Sequence, residues 1–161
     1  MTLRRPTVQD GAGMWQLIRD LPDLEENSLY AYLLLALDFA GTCRVAVEQD
    51  RILGLVAGYR RPAEPETLFV WQVGVHPDAQ RQGLASRMIL DILDTETGPR
   101  FRFLEATVAE RNGPSDRLFR GIADKREAAC EISEGFTSRH FGPQDHVPER
   151  RYRIGPLGRK A

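Results

Sequence analysis

Gln80-Arg81-Gln82-Gly83-Leu84-Ala85 follows an apolar stretch that stops at His76-Pro77, and it leads straight into an amphipathic one. Small residues at Gly83 and Ala85 let a ligand or the preceding backbone come close. The opening turn of a helix carries N–H groups with no intrahelical partner, at the positive end of the helix dipole. Such a set of donors suits a phosphate or pyrophosphate, and Arg81 and Arg87 add charge nearby. The segment lacks the G-K-[ST] of a triphosphate loop and the G-x-G-x-x-G of a dinucleotide fold. Two further groups invite chemistry. Glu105 stands within Phe-Arg-Phe-Leu-Glu-Ala-Thr-Val, where a carboxylate needs a partner, either a substrate cation or an arginine. Glu25, Glu26, Asn27 and Ser28 open a strongly apolar helix, setting carboxylates beside free N–H groups, although capping alone accounts for Asn27 and Ser28.

The elements that must position these residues follow from period and punctuation. A short strand covers 2–5. Met14, Trp15, Leu17, Ile18 and Leu21 recur at helical spacing after Thr7 or Asp10 as a cap, and Pro22 ends that helix. The helix over 29–39 is apolar on most faces, which predicts packing on both sides. Strands over 43–48 and 52–60 join through Gln49-Asp50-Arg51, and a third covers 68–75. A helix over 84–94, a strand over 103–108, a helix over 112–124 and closing strands over 130–133 and 151–154 complete the chain. Three successive strands on short loops must be antiparallel, whereas strand 68–75, helix and strand 103–108 form a parallel crossover. An α/β class with a mixed sheet flanked by helices results.

Length and charge narrow the function. The chain has 161 residues, the size of a single domain, 1–161. Its 42% hydrophobic and 28% charged residues are enough for a real core and exclude wholesale disorder. The formal charge of −1 argues against a nucleic-acid partner, and no apolar run is long enough for a membrane span or a signal peptide. Cys43 and Cys130 fit neither a disulfide framework nor a metal site and read as small apolar residues. Arg139, His140 and the basic tail of Arg150, Arg151, Arg153, Arg159 and Lys160 read as a solvated face. A cytoplasmic protein without a metal is expected.

The 80–85 segment resembles the coenzyme A pyrophosphate loop of the GNAT superfamily of acyl-CoA-dependent N-acetyltransferases, [QR]-x-x-G-x-[GA], and the element order matches that fold along nearly the whole chain. The resemblance implies a central mixed, mostly antiparallel sheet with a splayed parallel pair. It also implies acetyl-CoA as cosubstrate, held by the backbone of Val73 and Val75 and by Gln80, Arg81, Gln82, Gly83, Leu84, Ala85 and Ser86. Asn112, Ser115 and Phe119 resemble the family's N-x-x-[SA]-x-x-L-[YF] helix start and would lie beside the pantetheine. L-F-V-W-Q-V at 68–73, G-L-A-S-R-M at 83–88, N-S-x-Y-x-Y-L-L-L at 27–35, L-E-A-T-V at 104–108 and Y-R-I-G-P at 152–156 are similar to the diaminobutyrate acetyltransferases of ectoine synthesis.

That narrower resemblance implies transfer of acetyl to the 4-amino group of L-2,4-diaminobutyrate by direct attack in a ternary complex. Another small amine or diamino acid as acceptor, or a non-catalytic acetyl-CoA sensor, stays open. The attacking ammonium must lose a proton, and the thioester oxygen needs a donor. Val73 N–H is the family's donor position, and Glu105 is the expected base unless an arginine holds it. The acceptor pocket would draw on Glu25, Asn27, Ser28, Tyr30, Trp71, Gln72, Glu105, His146 and Glu149. Many relatives carry a tyrosine general acid where this chain has Phe119, so Tyr30, Tyr32 or Tyr59 takes that role or the thiolate leaves unaided. Family members often pair, which allows a homodimer.

Overall fold

The computed structural model describes residues 1–22, 24–143 and 146–158, so Arg159 and Lys160 of the basic tail lie outside the described residues. The strands are β1 (Thr2–Arg4), β2 (Arg44–Glu48), β3 (Arg51–Arg60), β4 (Thr67–Val75), β5 (Phe103–Ala109), β6 (Cys130–Phe136) and β7 (Glu149–Ile154). The α-helices are α1 (Gly11–Arg19), α2 (Leu29–Asp38), α3 (Leu84–Thr95) and α4 (Gly113–Lys125). They build a mixed sheet in the order β1-β2-β3-β4-β5-β7-β6, with β4 and β5 as its parallel pair. Contacts gather into two compact units: Met1–Tyr59 with Val70–Arg100, and Arg60–Phe69 with the described residues from Phe101 onward.

In the first unit β1 and β3 flank β2 in antiparallel register. The β2–β3 turn places Gln49 and Asp50 at φ +48° and +62°, the left-handed pair that matches the twist of a tight hairpin. Met14, Leu17 and Ile18 of α1, Tyr32, Leu35 and Ala36 of α2, and Val45, Leu55 and Ala57 of the strands form a continuous core. A side chain at Gly11 would strike Leu33, so glycine there lets α1 and α2 approach. Expected packing on both sides of α2 does not occur. Its buried residues sit at one i, i+3, i+4 stripe, whereas Tyr30 and Leu37 are 67% and 65% exposed. The α1 helix ends at Arg19, just before Pro22, and Leu21 N turns back to the Ile18 carbonyl in a tighter last turn.

Arg44 is 2% exposed, and its guanidinium is fully employed. It donates to Asp91 (2.5 Å) and Thr95 Oγ1 (2.6 Å) in the last turns of α3 and to the Gly41 and Cys43 carbonyls. A cation at a helix C-terminus complements the dipole, and this one ties α3 to β2. Gly54 leaves room for Leu84 and Met88, so α3 lies close on β3.

In the second unit β7 lies between β5 and β6, both antiparallel to it, with Tyr152 opposite Ala106 on one side and Ile132 on the other. Both closing strands outrun their expected bounds because this central pairing supports residues whose own pattern is polar. Phe119, Ile122 and Ala123 of α4 are buried, as are Leu104, Ala106, Val108, Tyr152 and Ile154.

The chain start carries an acid-sensitive clasp. Asp10 accepts from both Arg4 Nη atoms (2.7 and 2.8 Å), from Thr7 N (2.7 Å) and from Thr7 Oγ1 (2.9 Å). The Arg4 hydrogen bonds, helped by those of Thr7 and only partly opposed by burial, lower its carboxyl from 3.8 to about 2. A lowered carboxyl contributes stability that is complete above its unfolded value and disappears as pH falls through the folded one. Urea midpoints of the wild type should therefore fall between pH 3.8 and about 2, and Asp10→Asn should show a shallower fall in that window. Parallel curves would contradict the clasp.

Candidate active site

Strand β4 sorts its side chains by period. Val70, Gln72 and Gly74 point inward, and a side chain at Gly74 would press on Ile18 and Leu21 of the α1 segment. Trp71 alternates to the other side and is 43% exposed, with Val73 and Val75 half-buried. Trp71 is thus not a core residue. Gln72, expected in the acceptor pocket, is instead buried, with its amide bonded to Tyr32 and to the Glu25 carbonyl.

Beyond β4 the chain makes a single 3-10 turn at Pro77–Ala79, where His76 Nδ1 caps Asp78 N, and enters the expected anion loop. Gln80 Nε2 donates to the Val75 carbonyl (3.0 Å) and Gln82 Nε2 to the Asp78 carbonyl (3.4 Å), so both amides brace the loop itself. Arg81 and Gly83 take left-handed φ values of +59° and +69°. A Cβ at Gly83 would meet nothing within 4 Å. Glycine is thus needed there for its backbone angle, and the space beside it is open to a ligand rather than filled by preceding backbone. Gly83 caps α3 without a side-chain hydrogen bond, whereas Ser28 accepts from Ala31 N on α2 and Asn112 Oδ1 from Ser115 N on α4. At the start of α3 no side chain at the cap position competes for the first-turn N–H groups of Leu84 and Ala85, which lie at the positive end of the helix.

Glu25, Asn27 and Ser28 lie in the irregular segment before α2. Glu25 and Ser28 are exposed, and Tyr30 projects from the first turn of the helix. Arg19 pairs with Glu26 at 3.4 Å and rests 4.4 Å over the Trp15 ring.

In the second unit Glu105 is fully buried and held by Arg61, Arg151 (2.5 Å) and Arg153. Burial pushes its carboxyl up, but the hydrogen bonds from Arg151 and Arg153 and the charges of Arg151 and Arg61 outweigh that and leave it below the usual range. A carboxylate so held is a poor proton acceptor at neutral pH, and the arginine partner that the sequence left open is the one found. The expectation of Glu105 as base is corrected on this ground: its charge is spent on three guanidiniums. Arg151 and Arg153 are thereby removed from the solvated tail as well.

His146 stacks on Phe141 with ring centroids 3.6 Å apart, and its Nε2 lies 3.9 Å from Glu149 Oε1, both side chains being mostly buried. Phe119 is buried against Tyr152, with centroids 6.2 Å apart. The Tyr152 hydroxyl donates to Asp116 (2.7 Å), and burial together with that bond raises its pKa. This pair escaped the sequence because nothing in their spacing brings positions 116 and 152 together.

Residues 12–122 match the family model described as the acetyltransferase (GNAT) family. The L-2,4-diaminobutyric acid acetyltransferase of Marinococcus halophilus is 41% identical over 95% of this chain and 88% of its own. That of Bordetella parapertussis is 43% identical over 96% and 84%. Among solved structures, the diaminobutyrate acetyltransferase of Paenibacillus lautus, in complex with its substrate L-2,4-diaminobutyric acid and coenzyme A, is 37% identical. It superimposes with a TM-score of 0.93 over 99% of this chain and 97% of its own.

Removing the charge of Glu105 leaves three guanidiniums facing one another. Glu105→Gln should lower the unfolding free energy by on the order of 2–4 kcal/mol, below a fully buried pair because the arginines keep some water. Urea denaturation at pH 7 measures this, and an unchanged midpoint would show that the arginines do not depend on Glu105.

Proposed function

The chain belongs to the acetyltransferase (GNAT) family, and from that premise we propose that it transfers the acetyl group of acetyl-CoA to the 4-amino group of L-2,4-diaminobutyrate. The product, 4-N-acetyl-L-2,4-diaminobutyrate, belongs to the route to ectoine. The observation that carries this reading is the near-full-length likeness, in sequence and in fold, to proteins that bear that activity in their names.

The α3 end supports the acetyl-CoA assignment. The first turn has no side-chain cap, Gly83 leaves open space, and Arg81 adds charge beside it. The thioester supplies an already activated acetyl group, so no covalent enzyme intermediate is needed. Cys43 is unsuited to one in any case, since burial pushes its thiol up to about 11. Val73 N–H is the donor assigned to the thioester oxygen, and Val75, Asn112, Ser115 and Phe119 are assigned to the pantetheine by resemblance.

On the first unit, Glu25, Asn27, Ser28 and Tyr30 receive the charged ends of the amino acid, and Trp71 offers an exposed aromatic wall. On the second, His146 and Glu149 are assigned to the acceptor. Glu149 is the proposed proton acceptor, since it pairs with an imidazole rather than with guanidiniums. Phe119 has no proton to give, and the Tyr152 hydroxyl is committed to Asp116. Tyr32 is likewise bonded to Gln72, so either Tyr30 or Tyr59 supplies the proton or the thiolate leaves unaided, which an ordinary thiol pKa of about 8.5 permits.

The same reading makes this a cytoplasmic enzyme of small molecules, with a homodimer as the assembly that the family resemblance implies. Among the described residues no helix is long and apolar enough to cross a membrane, and no group of His, Cys, Asp and Glu could hold a metal.

Coenzyme A release with L-2,4-diaminobutyrate, ornithine, lysine and spermidine, with mass spectrometry of the products, tests the assignment. Diaminobutyrate should give the highest kcat/KM with acetyl on the 4-nitrogen; tight acetyl-CoA binding without turnover would identify a sensor instead. Glu149→Gln should lower kcat about 100-fold or more, the usual worth of a general base, whereas Glu105→Gln should stay within about tenfold of wild type. The reverse order would return the proton to Glu105.

A further inference from the structure

Two backbone carbonyls in the Glu25–Ser28 segment are held by side chains from other elements. Gln72 Nε2 on β4 donates to the Glu25 carbonyl at 3.0 Å, and Trp15 Nε1 on α1 donates to the Asn27 carbonyl at 3.1 Å. The segment is neither helix nor strand, so it has no ladder to fix its path. The Gln72 amide is 7% exposed and is itself fixed from the far side, where Tyr32, at 0% exposure, donates its hydroxyl to Gln72 Oε1 at 3.0 Å. Chemistry dictates this orientation. A carbonyl only accepts, so the amide nitrogen must face Glu25, its oxygen must face Tyr32, and the tyrosine must donate. Turning the amide over would set two oxygens against each other.

From this we propose that Gln72 is a positioning residue which, with Tyr32 behind it and Trp15 as a second tether, fixes the acceptor-binding segment Glu25–Ser28 and thereby sets which amine chain length is accepted. The inference rests on the assignment of that segment to the amine. Gln72 does not touch the substrate in this account; it acts through the backbone of Glu25. Val73, assigned to the thioester, points to the other side of β4, so loosening the segment need not disturb the acetyl-CoA side.

Initial-rate kinetics on Tyr32→Phe, Trp15→Phe, Gln72→Leu and Gln72→Glu, with each substrate varied at saturating levels of the other, test it. Gln72→Glu keeps the acceptor for Tyr32 but turns a carboxylate oxygen toward the Glu25 carbonyl, so it should be the most damaging. Gln72→Leu and Gln72→Glu should raise KM for the amine by about tenfold or more and Tyr32→Phe by less, with KM for acetyl-CoA within about twofold and kcat largely kept. The preference for diaminobutyrate over ornithine should narrow in the same order. Trp15→Phe leaves β4 untouched and should move the same KM in the same direction, so the test survives if the Gln72 variants fail to fold.

Equal shifts in both KM values, a fall in kcat alone, or unchanged selectivity in Tyr32→Phe and Trp15→Phe would overturn the proposal and leave Gln72 as a packed core amide. If the wild type prefers a different amine, the diaminobutyrate reading falls and the same ratios are read with that amine. A wild type that turns over no amine overturns both.

Discussion

The two-residue period of β4 is the constraint on which the first unit depends. One side of the strand must satisfy a core, and it does so with Val70, a glycine that admits α1, and a glutamine whose amide is bonded through both its oxygen and its nitrogen. The other side carries Trp71, Val73 and Val75 and stays accessible. A shift of one residue would bury Trp71 in place of Gln72 and release the Glu25 carbonyl. At the strand's end, α3 is held near its C-terminus by Arg44 and left uncapped at its N-terminus. Fixing one end of a helix while sparing the donors at the other suits a site that must be ready for an anion.

Charge is allotted on the same principle. Glu105 and its three arginines bury a carboxylate by pairing it, which is the only inexpensive way to keep it ionised out of water. That leaves it unfit for proton transfer. Glu149, 3.9 Å from the His146 imidazole, is the carboxylate proposed for that role. The two strand carboxylates differ in surroundings: Arg61 and the β7 residues Arg151 and Arg153 face Glu105, whereas the loop residue His146 lies beside Glu149.

Most of the fold was legible because it is local. Apolar period, Pro22, the Ser28 and Asn112 caps and the Gln49-Asp50 turn each act over a few residues, and all eleven expected elements are present. The turn into α3 with its left-handed Gly83 was legible for the same reason. What escaped the sequence depends on pairing at long range. Arg151 and Arg153 meet Glu105 only through the register of β5 with β7, Arg61 reaches it from just beyond β3, and Tyr152 meets Asp116 only once β7 passes α4. The apolar surface of α2 misled because hydrophobic composition shows what can be buried, not what is; the single stripe of Tyr32, Leu35 and Ala36 decides it. Gln72 read as a pocket residue because a lone polar residue in an apolar strand has two uses, and only Tyr32 and the Glu25 carbonyl distinguish them.

Amide hydrogen exchange with and without acetyl-CoA tests the central claim most directly, since it reads backbone donors one by one. Exchange at Val73, Val75 and residues 83–87 should slow by about tenfold or more on binding, with Glu105 and the β5–β7 ladder unchanged. Unaltered exchange at 83–87, with protection appearing elsewhere, would contradict an account in which the outward side of β4 and the uncapped end of α3 receive the cosubstrate.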